Sequence, residues 1–431
     1  MEVATAVGGE LQGPDVEVAA VTIDSRAVAH GSLFAPIVAA RDGHDFIADA
    51  VRAGAVAYLT ARPPIDVDAS AVVVSDTSEA LLALGRHARS RLSDRVIGIT
   101  GSVGKTTVKD LTRAALAARY DVHANDRSFN NELGVPLTLA NAPAGTEVTV
   151  VEMGARGRGH ISLLCDIARP TTGVVTAVAF AHTELLGSIE EVAAAKSELV
   201  EALPSTGVAV LNADDPLVMA MASRTEARVL TYGVDAPGAD VTADAIEIDV
   251  DVRASFELET PWGSASVHLP VAGLHQASNA LAAASAALAT GVTPAEVAEG
   301  LSGASISPWR MEIGRAPSGA IVINDAYNAN PASTEAALRS LAALPARRKI
   351  AVLGVMAELG DAGPREHKRI AALARDLGIE LIAVDAPAYG VPVVHGVEGA
   401  LAVLQLDDGD AVVVKGSRVA GLEALASALA R

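Results

Sequence analysis

The sequence predicts an α/β protein of three domains, and three observations carry that expectation. The chain has 431 residues, room for several domains at roughly 100–200 residues each. Short apolar runs alternate with helical spacing through much of it, the pattern of a parallel sheet crossed by helices. Between residues 229 and 272 the period changes to two, in VTADAIEIDVDV, ASFELET and GSASVHLPV, which reads as an antiparallel meander.

Taken in order, residues 1–92 read as a small α/β domain. Positions 45–55 have helical spacing, 56–59 form a short apolar strand, and Pro63-Pro64 breaks the pattern. Residues 93–306 form the central domain. Its expected strands are 95–100, 147–152, 173–178 and 207–211, its helices 105–118 and 189–203, and after the meander a helix over 276–288. Residues 307–431 repeat the α/β alternation, with strands at 320–324, 349–353, 380–384 and 410–414, and read as a Rossmann-like doubly wound domain. No internal repeat is visible.

Half the residues are hydrophobic but only 3% are aromatic, so Ala-rich helices and Val-rich strands are the expected building material. The net charge of −19 disfavours nucleic acid and anionic membranes as partners. A single cysteine, Cys165, excludes an internal disulfide and fits a reducing compartment. The N-terminus has no signal-peptide pattern, and the Ala-rich run 279–290 is too short to span a bilayer. A soluble cytoplasmic monomer without stable membrane insertion is the expectation.

The sharpest motif is VIGIT-GSVGKTT, an apolar strand running through a glycine loop into a helix. Gly101 and Gly104 let the backbone bend and turn its N–H groups toward one point. The helix N-terminus adds partial positive charge there. Ser102 and Thr107 flank the cradle. Lys105 can reach the β- and γ-phosphates, and the Thr106 hydroxyl can ligate Mg²⁺. Ile99 stands where the general phosphate loop has its first glycine. Glu152 ends an apolar strand at the carboxyl edge of the expected sheet, where a hard oxygen ligand suits Mg²⁺.

The loop T-G-x-x-G-K-T-T resembles that of the Mur ligases and of folylpolyglutamate synthetase. VVEMGARGRGHI, AHTELLGSIEEVAAAKSELV, GLHQASNALAA, INDAYNANPAS and VKGSR are similar to further motifs of this family, from residue 24 to residue 418. E-M-G, N-N-x-x-G-V-P and D-A-Y-N-A-N-P resemble the members that add D-alanyl-D-alanine to UDP-N-acetylmuramoyl-tripeptide (UDP-MurNAc-tripeptide). Gln276 stands where the family usually has Asn, Val355 interrupts the usual L-G-D-M, and 37–41 replace an L-K-G-E-R segment.

The resemblance implies three domains, for UDP-substrate, ATP and closure, and an acyl-phosphate reaction using ATP and Mg²⁺. It implies Mg²⁺ ligation by Thr106, Glu152, His182 and a carbamylated Lys196, with Lys105, Lys196 and His182 as the catalytic groups. It places Asn279 and Asn328, with His275 nearby, at the adenine, and Asp325 and Arg310 near the ribose and phosphates. Arg310 stands at the entrance to the third domain and is expected to reach ATP only when the domains close. Ser25 and Arg26 are expected to hold the uracil or diphosphate, and Asn130 and Asn131 the peptide end of the nucleotide substrate. Lys415 and Arg418 are candidates for the dipeptide carboxylate or for closure. Another Mur-type or folate ligase, or a non-catalytic nucleotide-binding scaffold, stays open at this stage.

Overall fold

The computed structural model describes residues 1–126, 128–180 and 187–430. The chain divides into two compact units. One comprises Met1–Gly98, Tyr120–Gly154 and His160–Thr171; the other comprises Ile99–Arg119, Ala155–Gly159 and Thr172–Arg431.

In the first unit a sheet of short strands has the spatial order Glu10–Gln12, Ser70–Val73, Ala55–Thr60, Ser32–Phe34, Ala20–Thr22. Glu10–Gln12 is antiparallel to its neighbour and the rest are parallel. The helical spacing at 45–55 resolves into a 3₁₀ turn, Gly43–Phe46, and a helix, Ile47–Arg52. Gly54, at φ 117°, then turns the chain into the strand Ala55–Thr60. Helix Thr77–Arg89 starts at Asp76, whose carboxylate accepts from the N–H groups of Ser78 and Glu79. Such a cap is worth about 0.5–2 kcal/mol. Leu81 and Leu84 of this helix join Leu33, Leu59 and Leu137 in one core, each buried leucine contributing about 1.5–3 kcal/mol. The unit also contains the parallel pair Val122–Ala124 and Val148–Glu152, the latter buried throughout and ending at Glu152.

In the second unit Thr172–Val175, Val208–Asn212 and Arg228–Gly233 run parallel. Val241–Ile248 pairs parallel with the end of Arg228–Gly233. It then leads an antiparallel meander through Arg253–Thr260 and Gly263–Ala272, as the period-two pattern predicts. The strand expected over 173–178 stops at Val175. Beyond it the backbone leaves the ladder: the Ala177 carbonyl accepts from Ser102 N–H, and Val178 N–H donates to Asp215. Helix Gln276–Ala289 is buried along most of its length, its small alanines letting neighbours approach closely.

A separate sheet orders Glu312–Arg315, Ile321–Asn324, Asp410–Lys415, Arg348–Leu353, Glu380–Val384 and Val393–Val394, parallel except for its first pair. Alternate residues of its strands enter different cores. Ile323, Ala351, Leu353 and Val413 pack on one face, and Val322, Ile350, Val352 and Val412 on the other. Apolar residues on both faces are what a sheet covered by helices on both sides requires. Among the described residues no helix is long and apolar enough to cross a membrane.

Candidate active site

Strand Val96–Thr100 is fully buried and delivers the chain into the glycine loop. Gly101 has φ 151°, and a Cβ there would lie 1.9 Å from Thr176 Oγ1. Gly104 has φ 82°, and a Cβ there would lie 2.6 Å from Asn279 Oδ1. A side chain would be strained by φ at both positions, and at Gly101 it would also run into Thr176. Helix Lys105–Ala117 starts directly after Gly104. Lys105 folds back over the loop and donates to the Gly101 carbonyl at 2.8 Å. Ser102 anchors the loop from below: its N–H donates to Ala177 O at 2.8 Å and its hydroxyl donates to Ala179 O at 3.0 Å. Thr106 and Thr107 are buried. The Thr106 hydroxyl accepts from Arg310 Nη2 at 2.8 Å. Arg310 thus reaches the loop in the arrangement described.

Lys196 lies on helix Ile189–Glu201, capped by the Ser188 side chain. It is 3% exposed. Burial, with the charge of Lys105 second, pulls its amine down to a pKa of about 7. The lysine is therefore not a solvated residue of this mixed-charge helix. His182 lies outside the described residues.

On helix Gln276–Ala289, Asn279 donates to Gln276 Oε1 at 2.9 Å, and Gln276 donates to Ala272 O. The glutamine that departs from the family pattern is therefore hydrogen-bonded within this helix start. Burial pushes the His275 imidazole below its usual pKa. Arg310 stacks 4.2 Å over the Tyr327 ring. Asp325 follows strand Ile321–Asn324 and pairs with Lys415 at 2.5 Å; its other oxygen accepts from Met311 N–H at 3.2 Å. Asn328 accepts from Ala329 N–H through its side chain and from Lys415 through its carbonyl. Lys415 is 3% exposed and held by these internal partners. Arg418 pairs with Glu423 at 2.8 Å and lies over the Trp309 ring.

In the other unit, Glu152 is 1% exposed. Its Oε1 accepts from Asn130 Nδ2 at 2.7 Å, and its N–H donates to Asn125 Oδ1 at 2.9 Å. Asn131 accepts from the N–H groups of Leu133 and Gly134, at the start of helix Gly134–Ala140. Ser25 and Arg26 form a turn closed by Ala27 N–H on Asp24 O. Arg26 forks onto Asp24 at 2.9 and 2.8 Å, which holds that carboxyl down at a pKa of about 2.

Family models match along the chain in three stretches: the Mur ligase family catalytic domain over 17–89, the Mur ligase middle domain over 99–287, and the Mur ligase glutamate ligase domain over 309–418. The UDP-N-acetylmuramoyl-tripeptide--D-alanyl-D-alanine ligase of Mycobacterium tuberculosis is 41% identical over 95% of this chain and 91% of its own. This chain belongs to the Mur ligase family. The Escherichia coli protein with the same ligase name is 34% identical, over 98% of this Mur ligase and 96% of its own length. A crystal structure of MurF from Acinetobacter baumannii matches with a TM-score of 0.88 at 30% identity, covering 99% and 97% of the two chains. MurF ligase from Thermotoga maritima in complex with ADP matches with a TM-score of 0.82 at 26% identity, covering 96% and 98%.

The loop of this Mur ligase fits a polyphosphate. A Cβ would intrude at either glycine, the helix N-terminus opens onto the loop, and a lysine and two buried hydroxyls border it. Among the described residues, no three His, Cys, Asp or Glu side chains converge as a metal cage. Residue-level reasoning missed Thr176, whose hydroxyl donates to Val103 O at 2.5 Å, and Asn330, whose amide donates to Ser102 O. Asn330 stands inside the DAYNANP motif, but nothing in its spacing signals a partner so distant in sequence.

Proposed function

We propose that this Mur ligase joins D-alanyl-D-alanine to UDP-MurNAc-tripeptide with ATP, forming an amide bond, ADP and phosphate through an acyl phosphate. The observation that carries the reading is the full-length likeness to ligases named for that reaction, at 34–41% identity, joined to a phosphate loop with intact local geometry.

A carboxylate does not condense with an amine in neutral water. ATP supplies the γ-phosphoryl group that makes the tripeptide carboxylate an acyl phosphate, with ADP leaving; the dipeptide amine then attacks the acyl carbon, phosphate departs, and the amine loses its proton. Mg²⁺, when bound, neutralises charge on the phosphate oxygens. Lys105, Arg310 and the loop N–H groups stabilise the negative charge that develops on the transferred group. Gly101, Ser102, Gly104, Thr106 and Thr107 hold the phosphates. Asn279, Asn328 and Asp325 face the nucleoside.

Glu152 would be a carboxylate ligand of the bound Mg²⁺, with the Asn130 amide on its Oε1; Asn130 and Asn131 stand at the peptide end of the nucleotide substrate. Lys196 acts as its carbamate: near its pKa a large fraction of the amine is neutral and can capture CO₂. His182, Thr106 and the Lys196 carbamate would be the remaining ligands of the bound ion. Ser25 and Arg26 bind the UDP moiety, with Asp24 restraining the guanidinium. The domains run 1–92, 93–306 and 307–431, for UDP-substrate, ATP and closure. The protein works as a cytoplasmic monomer.

The test is a substrate panel read by product mass. UDP-MurNAc-tripeptide and tetrahydrofolate are each offered ATP with D-Ala-D-Ala, meso-diaminopimelate or L-Glu. The expected product is the UDP-MurNAc-pentapeptide alone. Product from tetrahydrofolate with L-Glu, or no ADP release with any pair, overturns the reading.

A further inference from the structure

The helix that carries Lys105 also grips the linker into the C-terminal sheet. Residues four apart share one face of a helix, and Thr106 and Asp110 of helix Lys105–Ala117 both meet that linker. Both are nearly buried, at 3% and 6% exposure. Thr106 Oγ1 accepts from Arg310 Nη2 at 2.8 Å, and Asp110 Oδ2 accepts from Ser307 N–H at 2.7 Å. The second Asp110 oxygen lies 3.1 Å from Lys109 Nζ, on a lysine side chain only 3% exposed.

The linker around these two stitches is strained. Trp309 has φ 63° and Met311 has φ 54°, a region that L side chains rarely adopt. Such conformations persist only where the surroundings over-determine them. On the far side, Met311 N–H donates to Asp325, Tyr327 N–H donates to Trp309 O, and the Met311 side chain enters the C-terminal core. A cavity of about 340 Å³ lies against Ser307, Pro308 and Arg310, with Arg253 and Pro270 also lining it. The linker thus has room beside it and is kept in place by its stitches.

Given the reading of the loop as the ATP site, on which this rests, we infer that Asp110 is a positioning residue for the reaction. It pins the linker at Ser307 so that Arg310, three residues on, is delivered to the Thr106 hydroxyl. Asp110 itself touches no substrate. The guanidinium it places adds positive charge where the transferring phosphoryl group gathers negative charge. With Ser307 released, Arg310 has to be localised by its own contacts against the freedom of the linker.

The test compares Ser307→Pro, Asp110→Ala and Asp110→Asn with wild type and with Lys105→Ala. Ser307→Pro removes the N–H that Asp110 holds while leaving the Lys109–Asp110 pair intact. It therefore decides the matter even where Asp110→Ala fails to fold. Ser307→Pro and Asp110→Ala are expected to lower kcat and raise the KM for ATP, each by about tenfold, the scale of one charge-assisted hydrogen bond. The KM for UDP-MurNAc-tripeptide stays within about twofold. Asp110→Asn keeps an oxygen acceptor and recovers the KM for ATP to within about threefold. A wild-type kcat and KM for ATP in Ser307→Pro overturn the proposal. So does a change confined to melting temperature. Full turnover by Lys105→Ala instead overturns the ATP-site reading itself, which separates the two failures.

Discussion

The glycine loop at 101–104 and the DAYNANP loop at 325–331 occupy similar places, each just beyond the carboxyl end of a buried strand. They are built oppositely. The first is opened by two glycines at φ 151° and 82°, where a Cβ would collide with Thr176 or Asn279. The second contains no glycine and is stapled by side chains at and just beyond the end of strand Asp410–Lys415. Lys415 ties Asp325 to the Asn328 carbonyl, and the Ser417 hydroxyl donates to Ala329 O at 3.1 Å. One loop spends its backbone on an open concavity and the other on a rigid wall. Strand order therefore says where a ligand can sit, and the loop's residues decide whether that edge receives it or frames it.

The contrast can be broken most severely at the open loop. Lys105→Ala is expected to lower kcat by about 10²–10³-fold or more while the protein stays folded, because the lost charge acts on the transferring group. Steady-state kinetics with circular dichroism checks this, and wild-type kcat in a folded variant would remove the loop from the mechanism.

Lys196 extends the comparison, since it is buried like Lys415. Lys415 has Asp325 as a counter-ion, whereas Lys196 has the cation Lys105 as its second perturbing influence. The depressed pKa of about 7 means that the neutral, CO₂-reactive amine dominates above that pH and is lost below it. Activity assembled in bicarbonate should therefore fall on acidification through pH 7. Lys196→Ala should lose nearly all turnover and regain part of it with added formate. Lys196→Arg should stay inactive, and substantial activity there would end the carbamate idea.

At the stapled loop the expected change falls first on stability and least on catalysis. Lys415→Met leaves Asp325, partly buried, without its counter-ion. Breaking a fully buried pair from one side costs about 3–5 kcal/mol, and with Asp325 still partly open to water a smaller loss, about 1–3 kcal/mol, is expected. Urea unfolding should show that loss. An unchanged midpoint would mean that the pair is no strut, and the two loops would differ less than their geometry indicates.

The residues Gly101, Gly104, Lys105 and Thr106 were legible from sequence because a strand, a tight turn and a helix start are local events, written in adjacent residues. Glu152 was legible for a related reason: an apolar run that ends in a carboxylate marks a strand's carboxyl end. The alternation of periods likewise determined the α/β class and the meander. Other features depend on residues far apart in the chain. Lys415 meets Asp325 across 90 positions, Arg310 meets Thr106 across 204, and Ser307 meets Asp110 across 197. Spacing rules carry no information about such pairs, because chain topology brings them together. The burial of Lys196 belongs to the same class. Its helix reads as mixed in charge, and only packing against the rest of the unit removes that one amine from water and sets its acidity. Asn130 shows the same division: its place in N-N-x-x-G-V-P was visible, but only the folded strand end at Glu152 decided which group its amide holds.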